Sequence, residues 1–284
     1  MPNFKIGAML DSFRLPTELA IKTAAEMGVS GLQMYSTYGE HSPDNMNESK
    51  IRELKAMMDA HGLVFSALCG DLGKGFGNKD LNPELIEKSK RILDLAKKLG
   101  TDIVTTHIGV VPSDPECERY ETMRSACLEL SRYADSIDSH FAIETGPETS
   151  ETLAKFLDTL DSTGVAVNLD PANLVMVTGD DPVNAVYNLK RYIVHTHAKD
   201  GVMLTRGDPE MIYGVIPMPE GMKNISYYDE VPLGEGSVQF HDYLKALEDI
   251  GYCGFLTIER ECGENPVCDI DNAVQFLKKT MREI

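Results

Sequence analysis

The chain has 284 residues, 42% of them hydrophobic and 25% charged, a balance that supports a substantial core and argues against disorder. Its formal net charge of −18, unrelieved by any Lys/Arg cluster, would repel a phosphate backbone and argues against nucleic acid as a partner. Six cysteines without a CxxC pair, an opening without a basic stretch before a long apolar run, and no segment of ~20 apolar residues point to a reducing, cytoplasmic setting away from membranes.

Length admits two small domains or one α/β barrel of about 250 residues, so the pattern along the chain decides. The first apolar run, residues 6–10, precedes a stretch opened by Pro16 and closed by Gly28, the expected punctuation of a helix. Residues 31–35 form the next run, and Ile51, Leu54, Met57 and Met58 then recur at helical spacing within 47–61. Further runs fall at 63–68, 102–108, 141–144, 165–170 and 192–197, with helices expected after Pro83, through 119–136, from Glu151 and after Pro182. An eighth run at 255–259 and a last helix near 272–281 complete the series. Eight strand–helix units without a linker predict one domain over 1–284, an α/β fold of the (β/α)8 TIM-barrel type.

Two segments depart from the alternation. Residues 70–77 are glycine-rich but lack the Gly-Lys-Ser/Thr ending of a phosphate loop, and are expected as a mobile loop at the barrel mouth. Residues 201–236, between the seventh strand and the seventh helix, exceed ordinary loop length and are too rich in Met and Tyr for a solvated linker. A lid, or a contact in a homo-oligomer, is expected there.

Side chains alternate along a strand, so one parity lines the barrel interior and the other packs under the helices. With Ile143 outward, Ala142 and Glu144 point inward; with Val165, Val167 and Leu169 outward, Ala166, Asn168 and Asp170 do. His195, His197 and Lys199 share one face, Thr257 and Glu259 another, and Thr105 and His107 a third. Taken singly, Glu144 could be a loop carboxylate, Asp170 a turn former, the histidines hydrogen-bonded barrel residues and Glu259 half of a surface pair. Together, Glu144, Asp170, His197 and Glu259 reach the C-terminal mouth, where barrel active sites lie. Converging carboxylates repel, so a cation is expected among them. One nitrogen and three oxygen donors suit one divalent ion, manganese first, with cobalt, zinc or magnesium as alternatives.

The chain resembles the sugar phosphate isomerase/epimerase family of xylose isomerase-like barrels, which includes ketose 3-epimerases, hydroxypyruvate isomerases and inosose dehydratases. The resemblance spans nearly the whole chain. It is carried by Ala142-Ile143-Glu144, the run from Asn168 to Asn173, the run from His195 to Asp200, and Val231 to Gly236 leading through Gly251-Tyr252 to Thr257-Ile258-Glu259. It implies that Glu144, Asp170, His197 and Glu259 bind one metal, and that His195 is a supporting lumen residue. Related DNA-repair endonucleases use several metals and more histidines. Here Asn173 stands where they carry a histidine, which argues against a multinuclear nuclease site.

By the same resemblance the substrate is a small carbohydrate, and Glu144 and Glu259 are acid and base in proton abstraction beside a carbonyl through a metal-stabilised enediolate. The expected activity is that of an isomerase or epimerase, with a dehydratase or lyase acting on a keto-sugar or keto-inositol as the alternative. A non-catalytic sugar-binding barrel is the second alternative. His107, Asn173, Lys199 and Arg260 are candidate substrate contacts, Arg260 only if the strand ends before it, since its parity is wrong for the lumen. No Arg/Lys phosphate clamp is visible in the sequence, which leans toward a neutral ketose, a keto-acid or an oxidised glycoside and leaves phosphorylation open.

Overall fold

The computed structural model describes residues 3–284. Eight parallel strands close into a barrel: β1 (Lys5–Met9), β2 (Gly31–Tyr35), β3 (Val64–Cys69), β4 (Ile103–Thr106), β5 (His140–Glu144), β6 (Val165–Leu169), β7 (Ile193–Ala198) and β10 (Phe255–Ile258). A separate antiparallel hairpin, β8 (Asp200–Met203) and β9 (Tyr228–Val231), stands between β7 and the helix that follows. The barrel helices are α1 (Thr17–Met27), α2 (Glu48–Ala60), α3 (Asn82–Leu99), α4 (Glu118–Ser136), α5 (Ser150–Leu157), α7 (Pro182–Leu189), α9 (Phe240–Asp249) and α10 (Pro266–Glu283), with the short α6 (Pro171–Asn173) and α8 (Pro209–Ile212) in loops. Among the described residues no helix is long and apolar enough to cross a membrane.

Local chemistry sets the boundaries. Gly28 stops α1 in a left-handed conformation, φ 82°, that L side chains rarely adopt, and its N–H closes the helix on Ala24 and Ala25 carbonyls. Asn47 caps α2 by accepting the Ser49 and Lys50 N–H groups. The last helix begins earlier than the 272–281 stretch expected, because Pro266 occupies its first turn, where the missing N–H costs nothing.

Helix faces pack on the outward strand residues. In α3, Leu85, Ile86, Ile92, Leu93, Leu95, Ala96 and Leu99 are buried on one stripe, and each full Leu or Ile burial contributes roughly 1.5–3 kcal/mol. The inward parity fills the lumen instead. At its floor Phe255 lies so close to β2 that a Cβ on Gly31 would come within 2.3 Å of the ring, so only glycine fits there. Above that floor the side chains turn polar.

The hairpin is the main departure from a plain loop over 201–236. Its base is held by the buried Asp200 carboxylate, which accepts N–H bonds from Gly201 (2.9 Å), Gly234 (3.0 Å), Gly236 (3.0 Å) and Val238 (3.1 Å). A Cβ on Gly236 would collide with that carboxylate at 2.1 Å. The glycine-rich segment 70–77 is pinned as well: Phe76 is buried and its N–H donates to the Ile108 carbonyl.

Candidate metal centre at the barrel mouth

Four strand ends deliver the donors. Glu144 ends β5, Asp170 follows β6, His197 lies near the end of β7 and Glu259 follows β10; all four are buried, with one donor atom from each within 4.8 Å of the others. The His197 Nδ1 lies 3.4 Å from Asp170 Oδ2, 3.4 Å from Glu259 Oε2 and 3.5 Å from Glu144 Oε1. Donors ~2.1 Å from a common centre stand roughly 3–3.5 Å apart at tetrahedral or octahedral angles, and the distances from His197 fall in that range, so the cluster could hold a metal ion. Among the described residues this is the one such cluster.

The surrounding hydrogen bonds present the correct atoms. His197 Nε2 lies 3.0 Å from Gln33 Oε1, which turns Nδ1 toward the three carboxylates; against the effect of burial these raise its pKa well above the usual value. Asp170 is placed for both readings that the sequence suggested separately: Oδ1 accepts the Asn173 N–H at 2.9 Å while Oδ2 faces His197. Asn168 donates to Glu144 Oε2 at 3.1 Å and accepts from His195 Nδ1 at 2.9 Å, and His195 Nε2 meets the Thr257 hydroxyl at 2.9 Å. Burial, reinforced by His197, holds the His195 pKa well below its usual value, consistent with a neutral ring that only supports the site.

A cavity of about 250 Å³ opens above the cup. Its wall includes Tyr35, Asp71, His107, Glu144, Asn173, Lys199, Tyr213, Tyr228, Glu259 and Glu261. Small-molecule sites run upward from ~300 Å³, so this one suits a compact ligand. His107 sits 3.4 Å from Asp71 and 3.8 Å from Glu144. Burial opposes its charge, but Glu144 and Asp71 outweigh burial and push its pKa up to about 9. Lys199 Nζ donates to Glu259 Oε2 at 2.9 Å and also to Glu261. Burial disfavours ionised Glu259, yet Lys199 and His197 override it and hold its pKa well below the usual carboxylate range.

The expected substrate contacts divide. His107, Asn173 and Lys199 reach the cavity wall. Asn173 also donates to Glu144 Oε1 at 3.2 Å and so helps to position that carboxylate. Arg260 is a correction: its guanidinium turns away to Glu230 Oε1 (2.6 Å) and Asp269 Oδ2 (2.8 Å). The strand ends at Ile258, but Glu230 from the hairpin and Asp269 from α10 capture the side chain on the outer parity.

Gln33, Tyr35, Asp71, Tyr213, Tyr228 and Glu261 escaped the sequence reading. The alternation used for later strands, applied to residues 31–35, would have put Gln33 and Tyr35 inward. The others come from loops and the hairpin and carry no periodic signal.

Residues 21–280 match the profile of the family described as xylose isomerase-like TIM barrel. An uncharacterized protein of Methanocaldococcus jannaschii is 23% identical over 237 residues, 78% of this chain and 72% of the relative. An inosose dehydratase of Lacticaseibacillus casei is 27% identical over 173 residues, 60% of this chain and 56% of the dehydratase. Among solved structures, a xylose isomerase domain protein from Planctomyces limnophilus superposes with a TM-score of 0.80 at 23% identity, covering 100% of this chain and 98% of that one. A D-tagatose 3-epimerase-like protein gives 0.75 at 19% identity, covering 99% of each chain.

Proposed function

The chain belongs to the xylose isomerase-like TIM-barrel family, and from that premise we propose that it is a divalent-metal-dependent isomerase or epimerase of a sugar or sugar derivative. The observation that carries this reading is the pair Glu144 and Glu259, which enter one small cavity from strands separated by β6 and β7 while sharing the metal cup. Glu144, Asp170, His197 and Glu259 would hold a divalent ion, which when bound would supply Lewis-acid polarisation of a carbonyl and its neighbouring hydroxyl and make the adjoining C–H more acidic.

The chain's own residues do the rest. One of the two glutamates removes that proton, and the other returns one from the opposite side, inverting the centre; return to the adjacent carbon isomerises instead. Lys199 keeps Glu259 ionised and therefore able to accept a proton. Asn168 and Asn173 hold Glu144 by two neutral donors. Tyr213 and Ile212 from the hairpin segment wall the cavity against water. His107, with Asp71 behind it, faces the same space and could protonate a departing oxygen, which favours a dehydratase as the second reading; the inosose dehydratase match leans the same way.

The test is carbon-bound hydrogen exchange in heavy water, followed by NMR, for the manganese-loaded protein with a panel of ketoses, keto-cyclitols and keto-glycosides. Exchange in at least one compound is expected, and Glu144→Gln and Glu259→Gln should each slow it by about 10²–10⁴-fold with the fold intact. Near-normal exchange in either variant rejects the two-carboxylate reading.

A further inference from the structure

We propose that the substrate of this site is uncharged: a polyhydroxy ketone, free or glycosidic, bearing neither phosphate nor carboxylate. The inference rests on the proposed function above and narrows its substrate class.

The argument is one of charge and free donors. The cavity wall holds Asp71, Glu144, Glu259 and Glu261, and Asp170 lies in the cup beneath. These five carboxylates outnumber the positive charges that Lys199 and a divalent ion bring, whether or not His107 is protonated. Among the described residues, Lys199 and His107 are the only cationic side chains on that wall. Neither is free. Lys199 is 4% exposed and its Nζ is shared by Glu259, Glu261 and, at 3.9 Å, Glu230. His107 lies between two carboxylates, with Nδ1 3.4 Å from Asp71 and Nε2 3.8 Å from Glu144.

Nearby arginines are engaged elsewhere. Arg14 donates to the Glu261 and Gly263 carbonyls, and Arg260 is bound by Glu230 and Asp269. Phosphate and carboxylate recognition calls for forked Arg donors, an unpaired Lys or a cluster of free N–H groups. Binding a dianion here would strip water from it beside Glu261 and Asp71 with no unpaired cationic side chain on the wall in exchange. An uncharged polyol meets no such barrier. The hydroxyls of Tyr35, Tyr213 and Tyr228, the Asn173 amide and the carboxylates themselves can pair with sugar hydroxyls.

The experiment pairs compounds that differ only in charge. Manganese-loaded protein in heavy water is given uncharged ketohexoses, a keto-inositol and a keto-glycoside, each beside its phosphate ester or uronate, and C–H exchange is followed by NMR. Exchange at least tenfold faster in the uncharged members supports the inference, and equal or faster exchange in the anionic members overturns it. Exchange in no compound removes the proton-transfer reading but leaves the substrate class to a binding arm by titration calorimetry. There sorbitol 6-phosphate and inorganic phosphate should bind no more tightly than sorbitol; tighter binding of either overturns the inference. Glu261→Gln, which releases one partner of Lys199, should shift the sorbitol 6-phosphate to sorbitol affinity ratio at least tenfold toward the ester. An unchanged ratio shows that Glu261 does not exclude anions and overturns the argument.

Discussion

The two halves of the metal cup are held by opposite kinds of chemistry. On the β5–β6–β7 side, the hydrogen bonds to Glu144 and His197 come from the amides of Asn168, Asn173 and Gln33, with His195 behind them and His107 3.8 Å from Glu144. On the β10 side, Glu259 belongs to a chain of buried ion pairs running through Lys199 and Glu230 to Arg260 and Asp269. Neutral contacts orient a carboxylate without fixing its protonation, whereas a buried ammonium favours the ionised form. The difference leaves Glu259 held in its ionised form by a buried ammonium, while Glu144 is oriented mainly by amides.

The charged side should break first and hardest. Lys199→Met leaves Glu259 and Glu261 without their cation, and removing one partner of a buried pair costs about 3–5 kcal/mol. Urea unfolding should report that loss. Since the Glu259 pKa lies below its ordinary 4.5, this stability is fully present above that value and fades as pH falls through the lowered one. The gap between wild type and variant should therefore be widest near neutral pH and close in acid. A gap that stays constant into acid would remove the Glu259–Lys199 pair as its cause.

The neutral side should yield a smaller, more local effect. Asn168→Leu removes the donor to Glu144 and the acceptor for His195, and loss of such a supporting contact typically costs 10–100-fold in metal affinity. Calorimetry with manganese checks this. A variant that binds manganese as tightly as wild type would mean that Glu144 is oriented by Asn173 alone.

The same division explains what could be read from the sequence. The neutral side was largely legible, because strand alternation is local: Asn168 with Asp170, and His195 with His197, share inward faces two residues apart. Glu259 was found in the same way, but its environment was not. Glu230 and Glu261 act on it through Lys199; Glu261 follows β10, whereas Glu230 is brought there because Asp200 pairs with Val231, thirty-one residues on, in the hairpin. No period in the segment 201–236 announces that pairing, so the segment read as an irregular lid and Tyr213 and Tyr228 went unseen as cavity residues. Arg260 failed for the related reason that its partners, Glu230 and Asp269, come from two other elements. Gln33 was accessible to the parity argument but carries no charge, and a search guided by titratable strand ends passed over it.

One measurement bears most directly on the account as a whole, a manganese titration of the metal-free protein followed by calorimetry, in wild type and Asp170→Asn. One equivalent bound per chain is expected in the wild type, with a loss of at least tenfold in affinity in the variant, since Asp170 offers the cup one of its four donors. Binding of two or more equivalents at comparable affinity, or one equivalent bound as tightly after the substitution, would contradict a single ion held by Glu144, Asp170, His197 and Glu259.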